Sequence, residues 1–144
     1  MNFFEEQIHQ LGIILNTSLK AEKGTLCKLR IHGSFTVQIE HEPSKDRILF
    51  ASFLCELPSG KFREEVLKEA LKSNGSLDSF GTLAYSLKNN NLAFFLYSPG
   101  NPTAQELADT LTQFITKAEQ WKTAVDSGQL HQIQGPDISL PSPF

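Results

Sequence analysis

The chain is short of the residues on which most small-protein chemistry depends. Its 144 residues include two cysteines, Cys27 and Cys55, in neither a C-x-x-C nor a Cys/His pattern. That argues against a disulfide or metal pair and leaves two reduced core thiols as the expectation. Positive charge is scarce too: 13 Lys and Arg stand against 16 Asp and Glu, a net charge of −3. A nucleic-acid surface needs a basic excess, so no nucleic-acid partner is expected. No apolar run approaches the roughly 20 residues that span a bilayer, so no membrane insertion is expected either. The opening M-N-F-F-E-E-Q is acidic where a secretion leader is basic, and no cleavable leader is expected.

Catalytic and metal-binding patterns are missing as well. The four histidines, His9, His32, His41 and His131, are not spaced to share a metal; His32 and His41 could approach one another at strand ends. There is no G-x-S-x-G, no phosphate-cradling glycine loop and no H-E-x-x-H. Glu5-Glu6 and Glu64-Glu65 are neighbours on helices and point apart, which makes them poor acid/base pairs. Lys20, Lys23, Lys28 and Arg30 form a small basic cluster that a solvated strand face explains. The expectation is a protein with no catalytic residue, no cofactor and no metal.

What the chain does have is clear periodicity. Over residues 2–19, Phe4, Ile8, Leu11, Ile14 or Leu15, and Leu19 recur at helical spacing, and Ile13 widens the apolar arc. Cys27, Leu29 and Ile31 then alternate with Lys28, Arg30 and His32, and Phe35, Val37 and Ile39 with Thr36, Gln38 and Glu40. The third strand, Arg47–Cys55, is nearly continuous in apolar residues, so it is expected at the centre or with both faces covered. Leu57-Pro58-Ser59-Gly60 stops it.

A helix follows, with Phe62, Val66, Leu67, Ala70 and Leu71 on one face and Asn74-Gly75 as a left-handed stop. It is short, so it must bury that face against a sheet, another helix or a second copy of itself. Thr82–Leu87 and Leu92–Tyr97 read as strands, joined by Lys88-Asn89-Asn90-Asn91. The second carries bulk on both faces and is not expected at an edge. Thr103 and Glu106 form a capping box that opens the longest helix, about residues 104–127, which Gly128 ends. Trp121 falls on its apolar stripe and is read as core. The order α-β-β-β-α-β-β-α implies an α+β fold, an antiparallel sheet with helices packed on it. One domain covers residues 1–128; residues 129–144, with Pro136, Pro141 and Pro143, form a loosely ordered tail.

Element order, length, acidity and three local stretches resemble the class I type III secretion chaperones, the CesT/SycE-like family. The stretches are Phe53-Leu54-Cys55-Glu56-Leu57-Pro58, the helix K-F-R-E-E-V-L-K-E-A-L-K-S-N-G, and G-T-L-A-Y-S at Gly81–Ser86. They are similar in particular to the chlamydial branch. The resemblance implies a bacterial cytoplasmic, non-enzymatic dimer that keeps the N-terminal segment of a secreted effector or gatekeeper protein export-competent. A homodimer is implied, with pairing to a second chaperone as the variant.

By that resemblance, Phe62, Val66, Leu67, Ala70, Leu71, Leu83 and Tyr85 belong to the dimer interface. Extended cargo would fill grooves of the first helix and first three strands, at Phe4, Ile8, Leu11, Leu15, Leu29, Phe35, Val37, Ile39 and Phe50. Strand addition with side-chain pockets is the physical form of such binding. Each named position has a plainer reading as core. A small α+β regulatory adaptor that binds a folded partner is the competing function. An enzyme would need a polar pocket with perturbed groups, for which the sequence offers no candidate.

Overall fold

The computed structural model describes residues 2–130. Asn2 starts the first helix, α1 (Phe3–Leu15): its side chain accepts from Glu5 N–H at 2.8 Å, while the Glu5 carboxylate accepts from Asn2 N–H at 3.0 Å. This reciprocal cap satisfies two backbone donors that a helix start leaves free. The Asn2 amide also donates to Gly24 O, tying the helix to the loop before the sheet. The helix ends four residues before the expected Leu19. Asn16 turns left-handed at φ 54°, and the returning chain lies directly on Gly12, where a Cβ would meet Thr17 O at 2.7 Å. Leu19 still packs on the core, from the return segment rather than from the helix.

Five strands follow the expected pattern: β1 (Leu26–Ile31), β2 (Phe35–Glu42), β3 (Arg47–Glu56), β4 (Thr82–Ser86) and β5 (Asn91–Pro99). All neighbours are antiparallel, in the order β1-β2-β3-β5-β4. β3 is central and β5 internal, as their apolar content implies. The loop Pro43–Lys45 makes one 3-10 turn before Asp46 turns left-handed into β3.

α3 (Ala104–Ser127) opens with the Thr103/Glu106 capping box and stops at Gly128, φ 71°. Its Phe114 packs on Phe94 and Phe50, with ring centroids 4.6 and 6.0 Å apart. Trp121 is buried. α1 packs beside α3, and both cover the same face of the sheet.

α2 (Lys61–Asn74) lies along β4, with Val66 and Ala70 buried. Its C-terminus departs from expectation. Gly75 is right-handed (φ −84°, ψ −3°), so no left-handed glycine closes this helix. Asn74 instead turns its side chain onto β4, donating to Leu83 O at 2.8 Å and accepting from Leu83 N–H at 2.9 Å. One amide thus satisfies a residue of the outer strand that would otherwise lack partners. Leu130 packs against the core; the rest of the expected tail, including His131 and the three prolines, lies outside the described residues.

Candidate functional site

Among the described residues, no group of three or more His, Cys, Asp or Glu is placed to hold a metal. His32 and His41 do not meet. The hairpin register puts them at opposite ends of the β1–β2 pair, where His32 Nδ1 lies 2.8 Å from Glu119 Oε1 and His41 stacks on Phe4. Both thiols are free, and burial pushes each up to about 11 from 9.0, which suppresses the reactive thiolate.

The structure places the expected interaction residues unevenly. Phe4, Ile8, Leu11, Leu29, Phe35, Val37, Ile39 and Phe50 are buried between sheet and helices and present almost no surface to a cargo. Leu15 alone of that set is open, at 36% exposure beside Ile13 and Ile14 in the last turn of α1. Helical and strand periodicity marks any apolar face, and here that face is the protein's own interior. Of the residues expected at a dimer interface, Val66, Ala70 and Leu83 are likewise buried. Leu67 and Tyr85 are half-buried, while Phe62 and Leu71 face solvent, Leu71 at 72% exposure. Arg63 donates to the Tyr85 hydroxyl at 2.8 Å and spreads its charge over that ring, so Tyr85 is already engaged by its own chain.

The surface that the residue-by-residue reading missed is the other face of the sheet. Strand register puts Gln38, Ala51, Phe95 and Thr82 side by side in one row, and Glu40, Leu49 and Tyr97 in the next. On β1 and β2 this face is polar, as a solvated face should be. On β3 and β5 it is apolar: Leu49, Ala51, Phe53, Ala93, Phe95 and Tyr97 line a groove of about 510 Å³. Phe53 is 54% and Tyr97 45% exposed. The helices lie on the opposite face, so among the described residues nothing packs over this stripe. Arg47 closes its rim, stacked 3.8 Å above the Tyr97 ring and held by Glu42 at 2.7 Å.

A continuous apolar patch on an otherwise polar sheet face has the character of a protein-binding surface. The particular class follows from comparison: the chain belongs to the Tir chaperone protein (CesT) family, whose model matches residues 6–122. No curated protein sequence matches the chain. Among solved structures the fold is similar to that of the HopA1–SchA chaperone–effector complex, with TM-score 0.69 and 15% identity over 85% of this chain and 94% of that one. The ExsC–ExsE complex gives TM-score 0.65 and 12% identity, covering 84% and 92% of the two chains. The Yersinia pestis type III secretion chaperone SycH, in complex with a fragment of YscM2, gives 0.60 and 12% over 81% and 97%. These likenesses establish the α+β chaperone fold over 81–85% of the chain.

Proposed function

We propose that the protein is a non-enzymatic cytoplasmic chaperone of type III secretion that works as a homodimer. It holds the N-terminal segment of a secreted effector or gatekeeper protein in extended, export-competent form. The observation that carries this reading is the mismatch between sheet and helices. β3 and β5 are apolar on both faces, yet the chain's own helices cover one. An exposed apolar stripe of this kind calls for a second polypeptide. We assign the stripe to the second copy, whose α2 presents Phe62 and the Leu67–Leu71 flank. The cargo then falls to the remaining apolar surface, at Phe3, Ile13, Ile14 and Leu15 of α1. Solved structures of similar fold hold a chaperone with an effector, as in HopA1–SchA, or with a fragment of YscM2, which supports the cargo-holding role.

The test is limited proteolysis of N-terminal segments from a panel of type III secreted proteins, with and without this chain. The expected result is protection of a segment of several tens of residues that remains without regular tertiary structure in the complex. Binding only to a folded partner, with no isolated segment protected, would establish the adaptor function instead.

A further inference from the structure

Asn74-Gly75 reads in sequence as a helix stop, yet the backbone at Gly75 has no need of a glycine. It is right-handed (φ −84°, ψ −3°), and a Cβ there would come no closer than 3.6 Å to any neighbour, the nearest being Leu71 O. What the pair does have is chemistry. Asn74 is the only asparagine in the chain followed by glycine. A side-chain amide beside such a backbone nitrogen can cyclise onto it, because no side chain stands in the way.

Hydrogen bonds keep the reacting atoms apart while the junction of α2 with β4 is closed. The Asn74 amide spans Leu83, donating to its O at 2.8 Å and accepting from its N–H at 2.9 Å. Gly75 N–H donates to Leu71 O at 3.1 Å. Little else closes this end of the helix. Between Ala70 and Leu83 no residue is buried: Phe80 packs on the core only in part, and Leu71 and Leu77 are 72% and 99% exposed. A segment with so little buried apolar surface opens locally, without global unfolding.

We propose that Asn74-Gly75 is a site of spontaneous deamidation, gated by opening of the α2–β4 junction, and that the reaction unlocks the outer strand irreversibly. On opening, the Gly75 backbone nitrogen attacks Asn74 Cγ. The new C–N bond forms as Cγ–Nδ2 breaks, the Gly75 proton leaves with the amide nitrogen as ammonia, and a cyclic succinimide remains. Water then adds to either ring carbonyl, giving aspartate or its isomer with the main chain routed through Cγ. Water is the sole co-reactant. In the aspartate product both side-chain oxygens are acceptors. One still accepts from Leu83 N–H, but the other faces Leu83 O with no proton between them. The isomer lengthens the main chain by one carbon and shortens the branch that reached Leu83.

This chemistry holds whatever the protein binds, but its link to assembly rests on the chaperone reading. There α2 presents Phe62 and Leu71 to a second copy, so association holds the junction closed and unpaired chains deamidate faster.

The experiment incubates the full chain in mildly alkaline buffer and maps its peptides for the mass gain of amide to acid. Asn74 is expected to convert at least about tenfold faster than Asn89 and Asn90, which lie in a turn but precede asparagine. Gly75→Ala fits the observed backbone, so the fold should persist while conversion slows about tenfold or more. Urea below the global transition should accelerate conversion as the junction opens. Asn74→Asp supplies the product directly and should speed amide exchange at Leu83 while the β1–β2 hairpin keeps its protection. Wild-type rates in Gly75→Ala, an Asn74 no faster than Asn90, or no response to urea overturns the gated site. Unchanged exchange at Leu83 in Asn74→Asp overturns the unlocking. The two readings also fail separately. Conversion that does not slow as protein concentration rises removes the second copy from α2 and leaves the deamidation site standing. A dimer by light scattering whose Asn74 stays intact, even when diluted to monomer, does the reverse.

Discussion

Cys27 and Cys55 sit against the helices, and burial raises both thiols to about 11. In the unfolded chain the same groups ionise near 9.0, so between about pH 9 and 11 the unfolded state sheds protons that the folded state keeps. Stability contributed by these thiols is therefore complete below pH 9 and is lost as pH rises towards 11. Lys117 works in the opposite sense: burial lowers its affinity for a proton, so its contribution grows as pH rises through the amine range. Urea midpoints measured at pH 8 and pH 10.5 should fall more steeply for the wild type than for Cys27→Val with Cys55→Ala. Equal slopes would show that the thiols titrate alike in both states. At this scale the sequence is a partial guide. The Thr103/Glu106 cap is legible because both partners are local. Whether Phe4 or Val37 is core or groove is not, because an apolar period gives a face and not what covers it.

At the scale of elements, all three helices and five strands are legible, since each carries a period of 3.6 or 2 over enough residues. The ends are less so. α1 stops at Asn16 because the chain folds back onto Gly12, a tertiary contact that no local pattern announces. The strongest functional signal was also present at this scale: β3 and β5 read as apolar on both faces. Which layer is missing becomes visible only when both helices are seen on the same side. The α2–β4 junction depends on Asn74, whose amide serves as a short surrogate strand for Leu83. Replacing it with alanine leaves one backbone donor and one acceptor half-buried without partners. Asn74→Ala should cost about 1–3 kcal/mol by urea denaturation. Amide exchange should accelerate at Leu83 while the β1–β2 hairpin keeps its protection. A loss spread evenly over the sheet would mean that the amide pair stabilises only the global fold.

At the scale of the whole molecule, the covered and uncovered surfaces divide the work. The helices close one face of the sheet, α2 closes the β4 edge, and among the described residues nothing covers the apolar stripe of β3 and β5, which we propose as the surface for a second copy. Val66 is fully buried, so a charge there tests folding rather than association. Phe53 and Leu71 face solvent and can be changed without opening the core. Burying one such side chain is worth about 1.5–3 kcal/mol, and a buried unpaired carboxylate in its place costs more. Phe53→Glu and Leu71→Glu should therefore each weaken the dimer by about a hundredfold or more. Light scattering at micromolar concentration should show wild-type dimer and variant monomer, with unchanged helical content. The melting temperature should rise with concentration for the wild type alone, because association stabilises the folded state by mass action. If Phe53→Glu stays dimeric, the stripe is not the shared surface. If only Leu71→Glu stays dimeric, the stripe meets an element of the second copy other than α2. A monomeric wild type would assign the stripe to a different chaperone, and a heterodimer would then be the working form.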